Sequence, residues 1–206
     1  MMCHNIQRIY QRRAIAVTVL ALIAMVALAG CNQWLALSSH EFSETLAPFM
    51  VTIDTDLATG SGFLVEVGYV VTPAHVVWPF QAVEVTTNAG VRLHDVAVTD
   101  MDMLADIAVL GPIDLAHGSE LPIGALSMYA KEVYRVAYAG ATNLTVTRGT
   151  VLGTRTWRDL GLTYLEVDID LPSNLSGGLL TNGDGAAIGM VAWSDHNGTT
   201  LAISID

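Results

Sequence analysis

Thr72-Pro73-Ala74-His75-Val76-Val77, Ala105-Asp106-Ile107-Ala108-Val109-Leu110 and Asn174-Leu175-Ser176-Gly177-Gly178 follow one another in that order along a chain of 206 residues. They bring a histidine, an aspartate at the mouth of an apolar strand, and a serine followed by two glycines. A serine hydroxyl is a weak nucleophile until a base takes its proton. An imidazole serves best as that base when a carboxylate fixes its tautomer. His, Asp and Ser occur in nearly every protein, so the surroundings carry the weight. His75 follows an apolar strand-like run and precedes Val76-Val77. Asp106 opens an apolar strand that calls for a partner to its carboxylate. Gly177-Gly178 would let another backbone approach the serine where a β-carbon would stand in the way.

Outward from these motifs the chain reads as short strands separated by turns. The candidates are 49–53, 61–67, 69–72, 82–86, 91–98 and 107–110, then 132–138, 144–152, 162–168, 178–181, 186–193 and 199–205. Strict alternation in Val83-Glu84-Val85-Thr86 and in Leu144-Thr145-Val146-Thr147 marks half-buried strands. Asn88-Ala89-Gly90 and Asn182-Gly183-Asp184-Gly185 carry hairpin-turn signals. Asp100, Met101, Asp102 and Met103 read as a solvated loop, and no stretch after Cys31 keeps a helical period. Strands at this spacing without helices predict a sandwich or a barrel.

At these residues the chain resembles the chymotrypsin-fold serine proteases, and within them the bacterial trypsin-like HtrA/DegP group. The resemblance rests on Gly60-Ser61-Gly62-Phe63, Thr72-x-x-His75-Val76, Asp106-x-Ala108-x-Leu110 and Ser176-Gly177-Gly178, with intervals of 31 and 70 residues between His75, Asp106 and Ser176. Ile188-Gly189-Met190-Val191-Ala192-Trp193 is similar to the family's strand beside the primary specificity pocket. The resemblance implies an all-β fold of two six-stranded antiparallel β-barrels with the active site in the cleft between them. The region from Gly111-Pro112 to Pro122-Ile123-Gly124 would cross between barrels. Barrel 1 would then occupy about 46–115 and barrel 2 about 116–206, within a protease domain of 46–206.

The resemblance also implies roles. His75 would be the general base, Asp106 its orienting acid and Ser176 the nucleophile. The oxyanion hole would use the backbone N–H groups of Ser176 and Asn174. Relatives carry glycine where this chain has Asn174, and Asp or Asn where it has Leu175. Asparagine tolerates positive φ next best after glycine. Asp170 falls where trypsin-like members place the acid that binds Arg or Lys, in a pocket walled by Val191, Ala192 and Trp193. The other reading of Asp170 is a solvated strand-end carboxylate beside Asp168. His40, His94, His117 and His196 are scattered, without His-Glu-x-x-His or cysteine partners, so no metal or other cofactor is expected.

The first thirty residues are of another kind. Arg8, Arg12 and Arg13 precede an uncharged apolar run from Ala14 to Gly30, as in an export signal. The run ends in Leu28-Ala29-Gly30-Cys31, which resembles the bacterial lipobox. That predicts a lipoprotein signal peptide over 1–30, a lipidated Cys31 and a tether over 31–45. A plain transmembrane anchor is the alternative, since 17 apolar residues nearly span a bilayer. Cys3 and Cys31 are the chain's two cysteines. Cleavage and lipidation would leave none for a disulfide, although an extracytoplasmic compartment would permit one.

Beyond Cys31 the chain carries a net charge of −14. That argues against nucleic acid or anionic lipid as a partner and suits neutral or cationic peptides. Membrane attachment would come from the acyl chains on Cys31. The sequence thus points to a lipid-anchored serine endopeptidase of the bacterial cell envelope, facing the periplasm or the exterior. A catalytically inactive protease-fold module that binds peptides or envelope partners is the competing reading.

Overall fold

The period-two alternation that marks the strands also closes them into rings. In the computed structural model, residues 39–66, 68–114, 121–126, 131–140, 143–157, 161–171, 176–194 and 199–205 are described. Among them, the first six strands are β1 (Met50–Asp54), β2 (Thr59–Glu66), β3 (Tyr69–Thr72), β4 (Ala82–Thr87), β5 (Arg92–Asp102) and β6 (Ile107–Leu110). These join antiparallel in the order β1-β4-β5-β6-β3-β2. β2 returns to β1 with Met50 opposite Phe63, and this closes barrel 1. Its interior is filled by Val51, Ile53, Val70, Val85, Ala108 and Leu110.

Barrel 2 comprises β7 (Glu132–Tyr138), β8 (Leu144–Trp157), β9 (Leu162–Asp168), then β11 (Leu179–Asn182), β12 (Ala187–Ser194) and β13 (Thr200–Ser204). Its order is β11-β12-β13-β9-β8-β7, closed by β11 on β7 with Leu179 opposite Val136. Val133, Val167, Leu180, Ile188 and Ala202 fill it. Closure leaves neither ring with an open edge. The two-residue β10 (Ser176–Gly177) belongs to neither ring and pairs parallel with β2.

The barrels meet across a third apolar cluster. Met50 and Phe63 of barrel 1 pack there with Tyr134, Val136, Tyr164 and Leu179 of barrel 2. Polar contacts cross the same seam. Ser61 Oγ accepts the Tyr138 N–H at 2.8 Å, and Tyr138 Oη donates to Asn88 Oδ1 at 3.0 Å.

The expected fold class is the observed one, and β3, β6, β7 and β9 have the bounds read from the sequence. Most other strands shift by a residue or two at an end, and three elements differ in an instructive way. Helix α1 (Ser39–Leu46) occupies the end of the segment read as a polar tether. Phe42 and Leu46 are four residues apart and so share one helix face, which is fully buried. Phe42 stacks on Tyr134 with ring centroids 4.4 Å apart. β5 runs on through Asp102, where a loop was expected. The alternation of Asp100, Met101 and Asp102 is itself a strand period, with Met101 packed toward the core of barrel 1. β8 extends to Trp157, whose ring meets Tyr164 edge-on at 5.9 Å.

Both expected hairpin turns are present. Gly90 N–H donates to the Thr87 carbonyl at 2.9 Å between β4 and β5. Between β11 and β12, Asn182 Oδ1 accepts the N–H groups of Asp184 and Ala186 at 3.0 and 3.1 Å.

Candidate active site

His75 sits in the four-residue helix α2 (Ala74–Val77), entered through Pro73 in extended conformation. Ala74, Val76 and Val77 turn into the core of barrel 1. Gly60 on β2 makes room for this docking, since a β-carbon there would lie 2.7 Å from both γ-carbons of Val76. With its neighbours buried, His75 is left facing outward, its side chain 42 % exposed. The first N–H groups of a helix have no partner within it. That of His75 donates to Asp106 Oδ1 at 3.0 Å.

Asp106 is delivered by the turn between β5 and β6. Asp102 Oδ1 accepts the N–H groups of Leu104 and Ala105 at 2.8 and 3.0 Å, a side-chain template for the turn. The turn ends with Asp106 at φ +59°, a left-handed conformation that aspartate tolerates better than most residues. Its carboxylate, 9 % exposed, receives the imidazole as well as the main chain of His75. Nδ1 lies 3.0 Å from Oδ1 and 2.8 Å from Oδ2. A carboxylate only accepts, so Nδ1 carries the proton and Nε2 of the neutral ring carries the lone pair. That is the tautomer a general base requires.

The backbone of Ser176, just ahead of β11 of barrel 2, runs beside β2. In β10 it lies opposite Gly60, and Gly177 lies opposite Ser61. Gly60 therefore has α2 packed on it and Ser176 beside it in the ladder. The two glycines after the serine have an internal reason besides access for a substrate. Gly177 has φ +78°, and a β-carbon there would lie 2.5 Å from the Ser61 carbonyl oxygen. Gly178 has φ +117°, and a β-carbon there would lie 2.8 Å from Ala137 Cβ.

Other residues singled out in the sequence are placed as follows. Val191 and Ala192 are buried in β12, and Trp193 is partly buried beside Tyr164 and Trp157, at centroid distances of 5.5 and 6.0 Å. Asp170 is exposed just beyond β9. Asn174, Leu175 and Cys31 lie outside the described residues. Among the described residues no group of three or more His, Cys, Asp or Glu could hold a metal ion, and no helix is long and apolar enough to cross a membrane.

Two residues near the site escaped the sequence reading. Tyr164 is fully buried, and its hydroxyl has no hydrogen-bond partner among the described residues. Burial, then the charges of Asp106 and Asp102, push its phenol upward. Arg135, only 2 % exposed, donates from Nε and Nη2 to the Gly177 carbonyl at 3.1 and 2.9 Å. A cation inside the run Val133-Tyr134-Arg135-Val136-Ala137 was its available signal.

Residues 60–190 match the family model of the trypsin-like peptidase domain. The mitochondrial serine protease HTRA2 of Drosophila ananassae is 34 % identical over 160 residues, which cover 72 % of this chain and 37 % of that protein. The chain thus spans little more than a third of the length of such curated relatives. The serine endoprotease from Yersinia pestis superposes with a TM-score of 0.68 at 25 % identity, covering 82 % of this chain and 62 % of that one. The active form of the Rv3671c protease from M. tuberculosis superposes with a TM-score of 0.69, covering 80 % of this chain and 79 % of that one; at 21 % identity this is a likeness of fold.

Proposed function

The chain belongs to the trypsin-like peptidase family, and from that premise we propose that it is a serine endopeptidase using Ser176, His75 and Asp106. The observation that carries this reading is the bond from His75 Nδ1 to the Asp106 carboxylate, with Ser176 beside the glycine on which the His75 helix rests. Ser176 Oγ attacks the scissile carbonyl carbon while His75 Nε2 takes its proton. Asp106 stabilises the resulting imidazolium. The oxyanion is received by the N–H groups of Ser176 and Asn174. Collapse expels the amine with the proton from His75, and water, deprotonated by the same nitrogen, releases the acyl group. Labelling by an alkyl fluorophosphonate tests this. The wild type should label, and Ser176→Ala should not.

The Asn174-Leu175 pair, where relatives carry glycine and Asp or Asn, favours the second reading, a non-catalytic peptide-binding module. Wild type that stays unlabelled while binding peptide would establish it.

The remaining parts of the proposal concern location and specificity. Residues 1–30 act as a lipoprotein signal peptide, and Cys31 is lipidated and holds the protein at the cell envelope. Residues 31–45 are the tether, its last turns folded as α1, and 46–206 form the protease domain. The basic start, the apolar run and Leu28-Ala29-Gly30-Cys31 support this. Mass spectrometry of the mature N-terminus should find a modified Cys31 and nothing before it. Asp170 selects Arg or Lys in the substrate, a reading supported by the family position and the net −14 charge. A peptide library should lose its basic preference in Asp170→Ser.

A further inference from the structure

Arg135 stands on the wrong face of its strand for a cation. In β7 the side chains of Tyr134 and Val136 enter the seam between barrels, whereas Val133 enters the core of barrel 2. Successive residues of a strand point to opposite faces, so Arg135 shares the inward face with Val133. A guanidinium rarely occupies such a position unless charged or polar groups receive it, because desolvation of the ion is costly. Burial pushes Arg135 down to about 10, which still leaves it cationic at neutral pH.

The chain has arranged a receiver in the nucleophile segment itself. Two N–H groups of Arg135 converge on the carbonyl of Gly177, the residue after Ser176. Charge-assisted donation of this kind is about twice as strong as a neutral hydrogen bond. The guanidinium also packs closely on the next residue, where a β-carbon on Gly178 would meet Ala137 Cβ at 2.8 Å, the Val136 carbonyl at 3.0 Å and Arg135 Nε at 3.2 Å. On its other side the segment is paired with Gly60 and Ser61 of β2. Ser176–Gly178 is thus gripped from barrel 1 by a two-residue ladder and from barrel 2 by a cation.

We propose that Arg135 is a positioning residue: its buried guanidinium fixes the Gly177 peptide and so sets the backbone that presents Ser176. The catalytic consequence rests on the serine-protease reading above, whereas the ordering of the segment does not. A misplacement of about 1 Å costs about 10²-fold in rate when a reaction depends on alignment.

The test uses the full chain carrying Arg135→Leu or Arg135→Lys, with circular dichroism as the check of folding. Two readouts are taken: the rate of Ser176 labelling by an alkyl fluorophosphonate, and deuterium uptake by the peptide containing Ser176–Gly178. Arg135→Leu should slow labelling about 10²-fold and speed uptake, with KM for a peptide ester changed less than about threefold. Arg135→Lys should recover part of the rate. Its labelling should fall at a lower pH than the wild type's, because a buried ammonium gives up its proton more readily than a guanidinium.

Unchanged labelling and uptake in folded Arg135→Leu would overturn the proposal, as would slowed labelling with unchanged uptake. If Arg135→Leu does not fold, Arg135→Lys decides: wild-type uptake with a wild-type pH profile overturns it. Wild type that never labels, with faster uptake in the variant, would sink the catalytic reading and uphold the ordering role. Wild type that never labels, with unchanged uptake, would sink both.

Discussion

Barrel 1 holds its share of the site by contacts made within itself, whereas barrel 2 delivers Ser176 on a strand that pairs outside its own ring. His75 and Asp106 are joined by main-chain and imidazole hydrogen bonds, one in a short helix and the other in a turn beside strands of one barrel. Ser176 is in β10, whose partner is β2 of the other barrel. The His75–Asp106 pair is therefore a local property of barrel 1. The place of Ser176 depends on the seam, where Phe63 and Tyr164 pack and Ser61 receives Tyr138. One half of the site is built like a core, and the other is assembled like an interface.

The largest expected effect comes from the chemistry both halves share. Ser176→Ala and His75→Ala should each lower peptide hydrolysis by about 10³-fold or more while leaving the melting transition in place. Activity within tenfold of wild type would break the assignment. Asp106→Asn confines the damage to barrel 1. Its amide would set an N–H against Nδ1 and favour the wrong tautomer, for a loss of roughly 10²–10⁴ in kcat. An intact kcat there would mean that the carboxylate serves only the fold.

Phe63→Ala probes the seam. Truncating a buried phenylalanine costs about 3–5 kcal/mol, against about 2 kcal/mol for the smaller Val85→Ala inside barrel 1. Calorimetry should show a single lowered transition for Phe63→Ala, and two separated transitions would mean that the barrels unfold independently. Ser61→Ala leaves the Tyr138 N–H buried without its acceptor, for about 1–3 kcal/mol. At this size of domain that is a fall of several degrees in Tm, about 2–4 °C per kcal/mol.

The smallest effect is a pH dependence on β7. Glu132 is held below the usual carboxylate range by the Tyr134 hydroxyl and by Arg148, against the opposing effect of burial. A depressed folded value means stability present above the unfolded value, about 4.3, and lost as pH falls through the folded one. Glu132→Gln should flatten stability across that acid window by less than about 1 kcal/mol, because the group is partly solvated. Urea midpoints at pH 6 and pH 3 measure it.

Much of barrel 1 was legible because its signals are local. Alternation in Val83–Thr86, the turn at Asn88-Ala89-Gly90, and His75 and Asp106 in their apolar settings each read out over a few residues. The reading was weaker where tertiary contact decides. Among the described side chains of α1 Phe42 and Leu46 are buried, too few to announce a helix, and Phe42 is held by the stack on Tyr134. The end of β5 was obscured by exposed acids, of which Asp102 spends a carboxylate oxygen on the turn that follows. Arg135 was missed because its meaning lies 42 residues away, at Gly177. For the proposed specificity residues the chain shows burial alone: Val191 and Ala192 are buried in β12, and Asp170 is exposed just beyond β9.

The stacking of Phe42 on Tyr134 has a mechanical consequence. Tension entering the chain ahead of Ser39 would be carried by α1 into β7, the strand that also bears Arg135 and its grip on Gly177. The covalent chain hands the same load to β1 of barrel 1, the ring that holds His75 and Asp106. A pull ahead of Ser39 would therefore divide between the two barrels, through the backbone to one and through a ring stack to the other.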